Sequence, residues 1–161
     1  MTGSAKKALS LVDNPEERYI FERFFPYLNL KLADDWDRVF QRTMKRHGIS
    51  VPLWHVLCVI YAQPGVSLNE VAQLALIKQA SASRNVEELV ARGYVTRQAA
   101  EDDGRAVAIH VTEKGLEEFR RIWPLAHGVG EKRMSRLTER EQATLFRLFR
   151  KLLDDDSHAD D

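Results

Sequence analysis

Between Ser67 and Thr112 the apolar period of this chain changes once, from 3.6 residues to 2, and the change falls at a glycine. Upstream of Gly93, the run QASASRNVEELVAR sets Ala82, Val86 and Leu89 on one side of a helix at roughly 100° per residue. Downstream, Tyr94–Gln98 reads as one strand and Arg105–Val111 as a second, with Val107, Ile109 and Val111 on one face. Asp102-Asp103-Gly104 between them tolerates the positive φ of a tight turn. A helix closed by glycine and followed at once by a hairpin restricts the fold sharply, because the hairpin has to pack beside the helix that precedes it.

The segment just before strengthens that restriction. Ser67-Leu68-Asn69-Glu70 is a capping box, in which the serine oxygen accepts from the Glu70 amide while Glu70 reaches back to the serine amide. It starts a short helix through Ala75; Leu76–Lys78 breaks the pattern before the next helix. Two short helices on a tight turn form a helix-turn-helix, and a hairpin directly after one is a wing.

Long amphipathic segments flank this unit. Asn14, with Pro15, Glu16 and Glu17 behind it, is a helix start, and Pro26 interrupts or restarts that helix. From Tyr27 to about Arg46, Leu28, Leu32, Trp36, Val39, Phe40 and Thr43 recur at helical spacing up to a stop at His47-Gly48. Pro52 opens LWHVLCVIYA, apolar nearly all round and therefore central to a core, and Pro64-Gly65 ends it. Thr112-Glu113 caps a helix that runs towards Pro124 and resumes beyond it. Thr138–Glu141, a second capping box, starts a last helix with Leu145, Leu148, Phe149 and Leu152 on its apolar side.

Several function classes are excluded by composition. The 161 residues are 44% hydrophobic and 30% charged, with no apolar run near the roughly 18 residues of a membrane span; no membrane partner is expected. MTGSAKKALSLVDNPEE has no sustained apolar stretch, so no secretory signal is expected, and one cysteine excludes an internal disulfide. The expected location is a reducing cytoplasm. With 24 basic and 24 acidic side chains, any DNA contact has to rest on locally placed charge. Cys58, inside HVLCVIY, reads as a buried and inert thiol. The five histidines show no metal-ligand spacing. No nucleophile-base pair or phosphate-binding glycine loop appears, so the reading is not an enzyme, with no catalytic residue, metal or cofactor.

Four words in this order, HGISVPLWHVL at 47–57, SLNEVAQLALI at 67–77, SRNVEELVARGYVTR at 83–97 and DGRAVAIHVTEKG at 103–115, make residues 27–153 resemble the MarR (multiple antibiotic resistance regulator) family of winged-helix transcription factors. The resemblance implies a mainly α fold with a small β-hairpin wing, a winged helix-turn-helix lobe flanked by N- and C-terminal dimerisation helices. Residues 1–48 would be the N-terminal dimerisation arm, 49–112 the DNA-binding lobe, 113–154 the C-terminal dimerisation helices and 155–161 a disordered acidic tail. The implied partners are a second copy of the chain and double-stranded, palindromic DNA, since a closed pair suits a palindrome.

The wheel turns Ala80, Ser81, Arg84 and Glu88 away from the core, and small Ala80 and Ser81 let the helix approach a groove. The resemblance places DNA contact at Ser67, Lys78, Gln79, Ser81, Ser83, Arg84 and Arg97, and at Asp103 and Arg105 in the wing. There the family word Asp-Arg-Arg is reduced to Asp103-Gly104-Arg105, one cation fewer, and Glu101 and Asp102 make the tip acidic. The resemblance further implies release by a small aromatic acid or its CoA thioester in a cleft between arms and lobe. Tyr27, Trp36, Phe40, Trp54, His55 and Tyr61 are the aromatic candidates, with Lys31, Arg38 and Arg42 as cations. The same aromatics at helical spacing would equally serve as core, and an effector-independent or architectural DNA-binding protein is the alternative function.

Overall fold

Twelve residues with little polar surface, Val51–Ala62, form the helix around which the lobe is packed. Ser50 caps it by accepting from the Leu53 amide, and Pro52 sits in its first turn, where no amide is needed. Leu53, Trp54, Val56, Leu57 and Ile60 are buried. At about 1.5–3 kcal/mol for each large apolar side chain taken out of water, this helix is the main source of lobe stability.

A computed structural model describes residues 19, 22–99 and 107–153. In chain order its elements are α1 (Phe25–Arg46), α2 (Val51–Ala62), α3 (Leu68–Leu74), α4 (Gln79–Ala91), β1 (Val95–Ala99), β2 (Val107–Val111), α5 (Glu113–Met134) and α6 (Glu139–Leu153). Pro26 stands in the first turn of α1, the restart that the sequence offers as one of its two readings. The Asn14 helix start, the turn Asp102–Gly104 and the tail 155–161 lie outside the described residues. No described helix is long and apolar enough to cross a membrane.

The lobe core joins α2 to Val71 of α3, to Ala82, Val86 and Leu89 of α4, to Val95 and Ile109 of the hairpin, and to Phe119 and Ile122 of α5. β1 and β2 pair antiparallel, Val95 opposite Val111 and Arg97 opposite Ile109. Val66 adds a third short rung: the Ile109 amide donates to its carbonyl, and the Gly65 amide donates to the Ile109 carbonyl, both at 3.0 Å. That rung was not foreseen, because one residue carries no period. The expected apolar face of the second strand holds only near the lobe. Ile109 is buried and Val111 half-buried, but Val107 is exposed, because the hairpin has by then run past the core.

Two junctions tie the lobe to its flanking helices. At the first, Thr112 Oγ1 donates to the Gly93 carbonyl (2.7 Å) and accepts from the Gly115 amide (3.1 Å), while the Thr112 amide donates to the Tyr94 carbonyl (2.9 Å). A Cβ on Gly115 would lie 2.0 Å from that same Tyr94 oxygen, so the approach requires glycine. At the second, cations sit on helix-terminal carbonyls: Arg92 on Gly48 (3.0 Å), Arg121 on His47 (3.1 Å) and Lys114 on Arg92 (2.7 Å). Glu118 holds the Arg121 guanidinium through two bonds of 2.8 and 2.7 Å.

The expected break in α5 does not occur. The helix passes through Pro124 uninterrupted; the turn forfeits one backbone bond, but buried Ile122 and half-buried Leu125 and Ala126 hold both sides of it against the core. Farther along, Arg133 reaches the Asp35 carbonyl (3.2 Å) and carboxylate (3.4 Å) of α1. Thr138 and Glu141 form the second capping box as anticipated, yet α6 buries none of its residues; Phe146, Leu148, Leu152 and Leu153 are exposed, as are Phe25, Leu28, Leu30, Leu32 and Val39 on α1.

The hydrogen bonds from Arg121 hold the Glu118 carboxyl below its ordinary value of 4.5. A carboxyl lowered on folding stabilises fully above its unfolded value and loses that contribution as pH falls through the folded one. Glu118→Gln is therefore expected to cost about 1 kcal/mol at neutral pH, a modest figure because Arg121 is half exposed. Urea titrations of both proteins should converge as the pH drops below 4.5.

Candidate nucleic-acid interface

Helices α3 and α4 meet in the tight turn that the sequence anticipates, and its chemistry is unusual. Ile77, half-buried, donates its amide to the Ala72 carbonyl (3.0 Å) and anchors the turn. Leu76 beside it takes φ +54°, the left-handed region, and is 92% exposed. A leucine gains nothing by packing there and bears the steric cost of that backbone conformation.

α4 then presents two sides. Ala82, Val86 and Leu89 are buried, as the wheel predicts. Opposite them Arg84 is exposed, with one guanidinium nitrogen 3.3 Å from the Ser81 hydroxyl. Asn85 donates to the Ser81 carbonyl (2.8 Å), and Ser83 donates to Glu87 (2.9 Å). Lys78, the N-cap, makes no side-chain bond to the first-turn amides, which leaves a helix start suited to phosphate. Gln79, the first helical residue, donates from Nε2 to Asn69 Oδ1 of α3 at 2.6 Å. Asn69 was not among the candidates read from sequence; its only signal was its place two residues after a cap.

The remaining DNA candidates divide. The Ser67 hydroxyl is engaged in its capping box, donating to Glu70 (2.6 Å) and accepting from the Glu70 amide (3.3 Å); the hydroxyl and the Ser67 amide, which donates to the same carboxylate at 2.8 Å, hold the Glu70 carboxyl low. Arg97 is exposed on β1, opposite the buried Ile109. Asp103 and Arg105 lie outside the described residues. Gln79, Ser81, Ser83 and Arg84 thus come together on one helix, with Lys78 at its start.

The effector candidates do not converge on one cavity among the described residues. Lys31 lies over the Tyr27 ring (5.8 Å), Arg38 pairs with Asp34 (2.6 Å), and Arg42 donates to the Arg38 carbonyl (3.1 Å) along α1. Phe40 stacks with His55 at 6.0 Å, and burial lowers the His55 pKa against the opposing pull of Asp37. Trp36 lines a cavity of about 500 Å³ between α1 and α5 together with Lys132, Arg133 and Arg136. Trp54 is 3% exposed and belongs to the core.

Trp54 nevertheless begins an aromatic row that sequence reading missed. It stacks on Phe119 (5.2 Å), which stacks on Tyr61 (3.9 Å) and on Trp123 (5.5 Å). Cys58, Tyr61, Phe119, Arg120 and Trp123 line a cavity of about 560 Å³ between α2 and α5. The signal available was Phe119 and Trp123 four apart on one helix face with Arg120 beside them. Burial pushes the Cys58 thiol up to about 12, so it stays protonated. No group of three or more metal-ligating side chains occurs among the described residues.

A helix-turn-helix followed by a hairpin, with an exposed arginine opposite the buried stripe of its second helix, defines a winged helix-turn-helix DNA-binding lobe. The MarR family model matches residues 47–106. The HTH-type transcriptional regulator BilQ of Clostridium symbiosum is 30% identical over 131 residues, 81% of this chain and 91% of that one. The transcriptional repressor MprA of Escherichia coli is 27% identical over 143 residues, 88% of this chain and 79% of that one. Bordetella bronchiseptica BpsR, whose DNA binding is regulated by 6-hydroxynicotinic acid, superposes with a TM-score of 0.72 at 24% identity, covering 81% of this chain and 94% of that one. The chain belongs to the MarR family, and is a DNA-binding transcription regulator rather than an enzyme.

The strained turn yields a measurable consequence. Leu76→Gly should raise stability by about 0.5–1 kcal/mol, the relief of a left-handed leucine less the extra freedom glycine gives the unfolded chain. A thermal midpoint at or below that of the parent would mean that Leu76 is supported by contacts its exposure does not suggest.

Proposed function

We propose that this chain is a repressor that binds a palindromic operator as a homodimer and lets go when a flat aromatic acid, free or as a CoA thioester, fills the cavity between α2 and α5. The observation that carries the ligand response is the row Trp54–Phe119–Trp123. It runs from the lobe core into that cavity, so an aromatic ring seated there adds to a stack shared by the lobe and by α5. Arg120, exposed and 3.5 Å from Glu113, is the cation for the carboxylate. BpsR, responsive to a hydroxylated aromatic acid, and MprA, a repressor, support the same reading.

The apolar faces of α1 and α6 support the dimer, since helices that leave such faces in water need a partner to cover them. Residues 1–48 and 113–154 are then the arms, 49–112 the reading lobe and 155–161 a tail. Arg84 and the α4 start occupy the major groove, and Arg105 in the wing serves the backbone or minor groove.

Two measurements test this. On DNA selected from a random pool, Arg84→Ala should cost about 1–3 kcal/mol of binding with the thermal midpoint unchanged. Benzoates, hydroxycinnamates, hydroxynicotinates and their CoA thioesters should quench tryptophan emission at the concentrations that release DNA, and Arg120→Ala should raise those concentrations about tenfold. Selected DNA that no such compound releases would replace the repressor-effector reading with the effector-independent one.

A further inference from the structure

Gln79 and Asn69 lie ten residues apart on two helices, and both are exposed, yet their amides meet at 2.6 Å. A bond between two solvated amides contributes little to folding, because water competes for both groups and two side chains lose rotamer freedom. What the bond does fix is the direction of the Gln79 amide. A glutamine amide has two N–H donors and one carbonyl acceptor. With one N–H given to Asn69 Oδ1, one donor and the carbonyl remain side by side. Adenine shows the complementary pair on its major-groove edge, N7 as acceptor and the N6 amino group as donor.

We propose that Gln79 reads an adenine in each half-site and that Asn69 is its positioning residue. The inference rests on the operator reading above, in which the start of α4 enters the major groove. Gln79 stands at that start, ahead of Ser81 and Arg84, with no bulky neighbour in the first turn, since Ala80 follows it. Asn69 acts through orientation: its Oδ1 accepts only from the Gln79 nitrogen, so a reversed Gln79 amide would set oxygen against oxygen. Were both amides reversed together, Gln79 would present two donors, which suit the N7 and O6 acceptors of guanine. The base selected therefore reports which arrangement operates.

The test is selection of the full-length chain on random-sequence duplex DNA, run in parallel for the wild type, Gln79→Ala, Asn69→Ala and Asn69→Asp. All four should keep the same thermal midpoint, because both positions are exposed. The wild type should enrich an adenine at one fixed place in each half-site, and 7-deazaadenine there should weaken binding about tenfold. Gln79→Ala should lose both the preference and the sensitivity to 7-deazaadenine. Asn69→Ala should blur the preference at that one position, and Asn69→Asp, which keeps the acceptor, should restore it even though its charge weakens binding to every sequence. Enrichment of guanine at that place, or an unchanged base preference in Gln79→Ala, would overturn this inference alone. A folded wild type that enriches no sequence would overturn the operator reading and this inference with it.

Discussion

The contact on which the rest depends is the approach of α5 to the turn between α4 and β1. Gly115 lies so close to the Tyr94 carbonyl that no side chain fits, and Thr112 bonds three backbone groups around it. This fixes where α5 begins relative to α4 and to the hairpin. It also lets Phe119 and Ile122, a turn further on, enter the lobe core. A helix that belongs to the lobe at one end and leaves it at the other is thereby set at a definite angle. The cations on the His47, Gly48 and Arg92 carbonyls lock the end of α1 into the same frame.

That frame explains how a chain with no net charge can address DNA. The cations nearest the α4 start, Lys78 and Arg84, carry no ion pair among the described residues, whereas Arg92, Arg120, Arg121 and Arg133 are all paired with carboxylates. Positive charge at the α4 start is thus left open, so the local potential there differs from the balance of the whole chain.

Much of the lobe was legible in the sequence, because its signals are local. The Ser67 and Thr138 boxes, the Thr112 cap and the glycine at Gly93 each act within four residues, and each stands where it was placed. The buried stripe of α4 followed from period alone. What escaped depends on distance in sequence. The Val66 rung needs Ile109, the stack needs Trp54 with Phe119, and Asn69 needs Gln79; no period links such pairs. The α5 break was expected from the usual cost of proline, which local pattern sets and tertiary packing outweighed. Trp54 was grouped with effector residues for its chemistry, and its burial places it in the core, touching the cavity only through Phe119.

Pro124 has a mechanical meaning apart from helix continuity. Lacking an amide hydrogen, it leaves α5 one bond short just past Trp123, at the edge of the frame that Gly115 and the carbonyl-bound cations make rigid. The stretch from there to Met134 is roughly 15 Å long at 1.5 Å per residue. A bend of about 10° at the missing bond would carry its far end about 3 Å, against the hold that Leu125 and Ala126 keep on the core. The missing bond makes Pro124 the place where α5 resists bending least, and that place adjoins the aromatic cavity.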